Sequence, residues 1–312
     1  MAVFRPHSVT LFADGMGAAV HVPDIIRYDF PLNPEIMAEL TGSRTRPSHA
    51  AITAIRPVMT FSTYAVDTVL DEIDGGLAID TDTNSGVTLN IAKLDDYGDP
   101  LSGGAHRGLT ILKGVCVPVR LAADHRGDFV LDCAVYPIQK STSELFTITK
   151  TLTLPTLTVT SVRYTLGPID LVTVVMSDYT GVVIDFGFQI NPIGTQSEPR
   201  DKYIGPKNNT PSIELNGKDL EWLDAAVIPV SGAAAAHANS NLYLRKRAIG
   251  TAGFVADGTA EHIKVTYAGV ATILNAVSAQ ASQAADTSLR IEAFEDSSGN
   301  APLIITTASA IT

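Results

Sequence analysis

Few residues in this 312-residue chain stand at spacings that do chemistry. The stretch DTDTNSG, Asp80 to Gly86, sets Asp80, Asp82 and Asn84 where a calcium-binding loop places its first oxygen ligands. The pattern then departs. Its glycine comes one place late, and the twelfth position is Ile91, where such a loop needs a bidentate Glu. Asp, Thr, Asn, Ser and Gly are also ordinary turn residues, so a turn is expected here and no metal.

The two cysteines, Cys116 and Cys133, lie in adjacent strand-like runs. They could face each other across a hairpin, but a disulfide framework normally uses more than two, and a pair of buried thiols is the expected state. The seven histidines are scattered, and His106 and His262 each precede an alternating strand, which suits a structural role. The chain has no G-x-S-x-G elbow, phosphate-binding loop, H-E-x-x-H or paired C-x-x-C. These motifs' absence points away from an enzyme and from any cofactor.

Charge narrows the partners. Lys and Arg number 22 against 33 Asp and Glu, a net charge of −11, unlike a conventional nucleic-acid binder with its basic patches. The dense basic cluster Arg245-Lys246-Arg247 lies in an alternating run, so Lys246 is expected to face opposite to its neighbours. A solvated face or intersubunit salt bridges are expected there rather than DNA contact. No basic segment followed by an apolar stretch opens the chain, and no run of about 18 apolar residues occurs, so neither a secretion signal nor a membrane span is expected.

The elements that must position these residues read as strands. A 45% hydrophobic and 18% charged composition describes a folded protein, and short β-branched runs such as Val87–Leu94, Leu109–Leu121, Phe129–Ile138 and Leu145–Leu154 alternate between Gly, Pro, Asp and Asn clusters. The texture returns in Leu242–Ile249, His262–Leu274, Ser288–Glu295 and Pro302–Ile311. One helix is expected after a Ser62 or Thr63 cap, with Val66, Val69, Leu70 and Ile73 on one face and Gly75-Gly76 as its stop. A shorter one is expected after Asn216 or Asp219, on Leu220, Leu223 and Val227. The AAAAHA run at Ala233–Ala238 could start a helix or form a tightly packed segment, and its place after the second short helix suggests close packing.

Ordered anchors suggest that the chain is one domain written twice, residues 1–155 and 156–312. Thr10-Leu11 matches Thr165-Leu166, Asp29-Phe30 matches Asp185-Phe186, and Asn33-Pro34 matches Asn191-Pro192. Polar loops follow at Thr41–Ala50 and Gly194–Asn209. Pro57 then matches Pro211, His106 matches His262 and Gly114 matches Gly269, with the last two strands aligned at offsets of 158 to 159. Charge divides evenly: 12 basic and 18 acidic residues in the first part, 10 and 15 in the second.

This layout of strands, long polar loop, one helix and further strands resembles the tail tube proteins of long-tailed bacteriophages, and more loosely the inner-tube proteins of contractile injection machines. The residues carrying the resemblance are the loops Thr41–Ala50 and Gly194–Asn209, the helix Ser62–Ile73, the segment LYLRKRAI…DGTAEHIKVTY and the closing ITTASAI. It implies a mainly β fold: two tandem tail-tube-like β-sandwich or barrel domains, each with one short α-helix. It also implies a virion protein, made in the host cytoplasm, that self-assembles into stacked rings. Trimers with pseudo-sixfold symmetry would let three duplicated chains supply six domains. The expected partners are further copies, tape measure, tail terminator and distal tail proteins, and double-stranded DNA passing without specific binding; no membrane is expected. The resemblance marks Arg44, Arg46, Glu198, Arg200, Asp201 and Lys202 as inter-ring loop candidates. Asp95, Asp96 and Asp99 are lumen candidates, although a solvated turn explains them equally well. The alternatives are a capsid decoration or baseplate protein, and a β-sandwich glycan-binding module.

Overall fold

The computed structural model describes residues 3–12, 19–39, 49–73, 75–82, 86–140, 144–157, 162–171, 174–176, 179–195, 199–218, 235–250, 253–278, 286–295, 299 and 301–312. The first half runs β1 (Phe4–Phe12), β2 (Val20–Val22), β3 (Ile25–Asp29), β4 (Pro34–Glu39), β5 (His49–Ile55), β6 (Met59–Thr63), α1 (Val66–Ile73) and β7 (Leu77–Asp80). It continues with β8 (Gly86–Lys93), β9 (His106–Ile111), β10 (Lys113–Asp124), β11 (Val130–Pro137) and β12 (Phe146–Leu152). The second half runs β13 (Tyr164–Leu171), β14 (Val174–Met176), β15 (Tyr179–Asp185), β16 (Phe188–Gly194), β17 (Asp201–Asn209) and β18 (Ser212–Gly217). It closes with β19 (Ala235–Lys246), β20 (His262–Ser278), β21 (Asp286–Ala293) and β22 (Leu303–Ser309). The fold is mainly β, and every pairing between named strands is antiparallel.

The pairing scheme of the first half recurs in the second. One layer has the order β12-β9-β8-β1-β2, and its counterpart is β22-β20-β19-β13-β14. The other has β10-β11-β6-β3, matched by β20-β21-β18-β15. In the first half two strands, β9 and β10, share the work that the single long β20 does in the second. Even the irregularities recur: a register shift at Pro118/Arg120 against β11 is repeated at Ile273/Asn275 against β21.

Register corrects several of the sequence anchors. Pro57 and Pro211 stand in equivalent places, because Met59 and Ile213 both precede the same pairings, as do His106 and His262. Thr10-Leu11, however, corresponds to Asp170-Leu171, since Val9 and Ile169 occupy matching positions against β8 and β19. Asp29 corresponds to Val183 rather than Asp185, and Asn33-Pro34 to Gly187-Phe188 rather than Asn191-Pro192. The backbone agrees with the last correction: Asn33 and Gly187 both take positive φ, at 41° and 66°. The penultimate strands align Cys133 with Leu289, an offset of 156 and not 159.

The polar stretches expected as loops are, in their described parts, two-stranded arms. β4 pairs with β5, and β16 pairs with β17, each as a separate two-stranded sheet. Core-type alternation does not mark them: β4 is exposed at each position whose side chain is described, and β16 alternates half-buried with exposed residues.

Helix α1 begins where Thr63 Oγ1 accepts the Ala65 N–H at 3.0 Å, and it buries Val66, Val69, Leu70 and Ile73. Gly76, at φ 90°, donates its N–H back to Ile73 O and ends it. The second expected helix, at Leu220 to Val227, lies outside the described residues. One apolar cluster spans both halves, from Val9 and Phe61 through Leu121 and Ile184 to Leu289 and Ile291. The halves therefore share a core rather than holding one each.

Candidate assembly surface

The junction between the halves is a strand pairing. β10 lies beside β15, with Arg120 opposite Asp185, Leu121 opposite Ile184, Ala122 opposite Val183, Ala123 opposite Val182 and Asp124 opposite Gly181. Leu121 and Ile184 are fully buried, and each such burial contributes about 1.5–3 kcal/mol relative to exposure. The seam continues at both ends, where Phe186 N–H donates to Val119 O at 3.0 Å and His125 N–H to Thr180 O at 2.6 Å.

Side chains tie the same two halves together. Arg163 sits 3.8 Å over the Tyr64 ring and 3.5 Å from Asp24, while Tyr164 Oη donates to Asp67 at 3.1 Å. Burial and the Asp67 carboxylate push the Tyr164 phenol far above its ordinary range, so it stays a donor. Arg247 pairs with Asp128, and Thr307 hydrogen-bonds Asp71 on α1.

By the repeated register, this junction uses the outer edge of β10 in one half and of β15 in the other. Their counterparts are the outer edge of Thr272–Ser278 in β20 and the outer edge of β3. Among the described residues, β3 pairs with β6 alone, and Thr272–Ser278 pairs with β21 alone. Both edges carry exposed apolar side chains: Ile26 is 47% exposed, Leu274 54% and Val277 53%. An open edge of this kind is a template for another strand.

The face of the long sheet turned from the core is polar and mostly acidic. Asp29, Asp124, Asp132, Asp185, Glu214 and Glu292 lie on it, with Arg27, Arg120 and Arg290 between them. Arg290 contacts both Glu214 at 3.4 Å and Glu292 at 2.5 Å. The sequence signal for this face is single acids inside apolar runs, as in FVLDCAVY and VVIDF, and not the acidic turns.

The expected site residues fall elsewhere. Asp95, Asp96 and Asp99 follow β8 in a turn, where Asp95 Oδ1 accepts the N–H groups of Tyr97 and Asp99, both at 2.9 Å. They are not on the acidic face of the long sheet. Asp80 and Asp82 also form a turn, with the Asp82 N–H on Asp80 Oδ1 at 3.1 Å. That bond, with help from Lys113, holds the Asp80 carboxyl below its usual range. Lys140 pairs with Asp82 at 2.7 Å, and Asn84 lies outside the described residues. No group of three metal-ligating side chains occurs among the described residues.

The basic run Arg245-Lys246-Arg247 is ion-paired within the chain, to Asp257, Glu261 and Asp128 in turn. The cysteines are free and buried, with Cys116 opposite Val135 and Cys133 opposite Pro118. Burial pushes the Cys116 thiol up to about 12. His106 and His262 perform one task twice: each Nδ1 accepts a backbone N–H at 3.0 Å, from Lys93 and from Lys246.

Of the loop candidates, Arg44, Arg46 and Glu198 lie outside the described residues. Arg200 and Asp201 sit at the tip of the second arm, and they meet the base of the first. Ile55 N–H donates to Pro199 O at 2.6 Å, Ile55 and Arg200 form a parallel bridge, and Arg56 Nε lies 3.5 Å from Asp201. Asp201 is buried and Gln139 N–H donates to its carbonyl at 2.8 Å, while burial raises its carboxyl above the usual range. Lys202 follows in β17, exposed. No family model and no curated protein matches this chain.

Proposed function

We propose that the chain is a structural virion protein of the tail-tube type, built from a duplicated domain at residues 1–155 and 156–312. Copies join head to tail, with β3 of one adding to Thr272–Ser278 of the next. The observation that carries this reading is the β10–β15 seam, which joins the halves inside the chain while, among the described residues, its two counterpart edges have no second strand partner. A heterologous contact of this kind generates a ring when the rotation closes. Three chains would supply six repeats, and stacked rings would form a tube.

The acidic sheet face would then line the channel. Phosphate repulsion lets DNA pass without binding. Further copies would be the main partner, with tape measure, terminator and distal tail proteins at the tube's ends.

The test joins electron microscopy with cross-linking. Purified protein at increasing concentration is expected to give rings or hollow tubes. Asp29→Cys combined in turn with Ala276→Cys, Val277→Cys or Ser278→Cys is expected to give an intermolecular disulfide in one combination, because facing residues of paired strands lie within disulfide reach. The buried native thiols leave that readout clear. Monomers at all concentrations, with no cross-link in any combination, would sink the proposal.

A further inference from the structure

The second arm's tip closes a cleft that has a twin in the second half. In the first half, Leu32, Ile55, Glu144, Leu145 and Phe146 line a cleft of about 310 Å³, and Arg200 of the second arm forms its remaining wall. The twin in the second half, of about 300 Å³, includes Phe186, Phe188, Asn209, Pro302 and Leu303. The correspondence is residue by residue. Phe186 stands for Leu32 and Asn209 for Ile55, from the shared register of the arms and of β6 and β18. Leu303 stands for Phe146, since Phe146 faces Ile111 in β9 and Leu303 faces Tyr267 in β20.

We propose that this second cleft receives the β4–β5 arm of another copy of the chain, as its twin receives the β16–β17 arm within the chain. The inference rests on the head-to-tail reading, and it adds a clasp to the sheet seam. Geometry makes the two contacts one. Each arm directly follows an edge strand, β15 before β16 and β3 before β4. The operation that sets β15 on β10 also carries the second arm to the first half's cleft. Repeating it sets β3 of a neighbour on β20 and carries the neighbour's first arm to the cleft at Phe186.

The cleft has an apolar outer wall. It includes Ile304, which is 44% exposed, beside half-buried Phe188 and Ile305. An apolar wall left open in this way suits coverage by another chain. The in-chain version relies on a backbone bond, Ile55 N–H to Pro199 O, so the clasp tolerates different side chains in the two halves.

A photo-reactive residue at Ile304, in a mixture of heavy-isotope and ordinary chains, tests the contact by mass spectrometry. Cross-links joining a heavy to an ordinary chain within residues 34–55 are expected. Cross-links that stay within one chain, or reach another segment of the neighbour, would overturn the clasp while leaving rings and the β3–β20 disulfide intact. If the rings themselves fail to form, the clasp falls with them. As a second readout, Ile304→Asp should leave the monomer's circular dichroism unchanged and raise the concentration needed for assembly about tenfold or more. Unchanged assembly would likewise overturn it.

Discussion

Replacing Gly187 by Ala separates two costs that usually travel together. Gly187 begins the second arm at φ 66°, and a Cβ placed there would lie 2.2 Å from Thr210 O, 2.3 Å from Thr210 C and 2.8 Å from Pro211 N. The left-handed backbone alone costs a residue with a Cβ about 1–2 kcal/mol. The obstruction is backbone, so no rotamer relieves it, and β16 and β18 must part by more than roughly 1 Å to reach ordinary contact. Forced displacement of this kind adds about 1–3 kcal/mol.

Gly98 is the control. Its φ is 87°, but nothing lies within 4 Å of its Cβ position. Gly98→Ala should therefore cost only the dihedral part, about 1–2 kcal/mol, and Gly187→Ala about 2–5 kcal/mol in all. Urea unfolding followed by circular dichroism measures both. Equal losses in the two variants would refute the argument that the arm's base is closed by a backbone contact. Asn33 occupies the matching position in the first half at φ 41°, so Asn33→Gly should change stability by no more than about 1 kcal/mol.

Three further outcomes are expected. His262→Ala and His106→Ala each strand a part-buried backbone N–H and should each cost about 1 kcal/mol or more in urea unfolding; a loss below about 0.5 kcal/mol in both would remove the structural role assigned to these rings. Thiol reagents at pH 8 should leave Cys116 and Cys133 unmodified until the chain unfolds, because burial disfavours both thiolates; rapid native labelling would contradict their placement. Asp201 has its carboxyl raised by burial, so the folded state binds that proton more tightly than the unfolded state. Its contribution is full below the unfolded value near 3.9 and is lost as pH rises through the folded one. Asp201→Asn should then match or exceed wild-type stability at pH 7, with wild type gaining on it as the pH falls; a large loss at pH 7 would mean that the Arg56 contact dominates.

The β character and the one described helix were legible because their cores alternate or recur at helical spacing, as at Val66, Val69, Leu70 and Ile73. Pro57 and Pro211 keep their correspondence because proline constrains the backbone where it stands. Asp-Phe could not. Asp29 follows Tyr28 in register with Val182-Val183, and the second Asp-Phe lies two residues later on the same strand. A shift of two keeps each side chain on its face, so the pattern survives while the identities slide. The arms are less legible for a different reason: β4 is exposed at each position whose side chain is described, and β16 alternates only half-buried with exposed residues, a weaker signal than core burial. The assembly edges left even less trace, since pairing is a property of neighbouring backbones.

β20 runs unbroken from the sheet at His262–Tyr267 into the sheet at Gly269–Ser278, whereas its first-half equivalent is interrupted at Leu112. That interruption is a fault line. The layer β12-β9-β8-β1-β2 can open without dragging β10 along, so its amides should exchange with solvent by a local route. In the second half the same opening would have to peel one 17-residue strand from both of its sheets, and protection there should track global unfolding. Two halves with one plan thus differ in cooperativity, and the difference comes from a single residue's break in a strand.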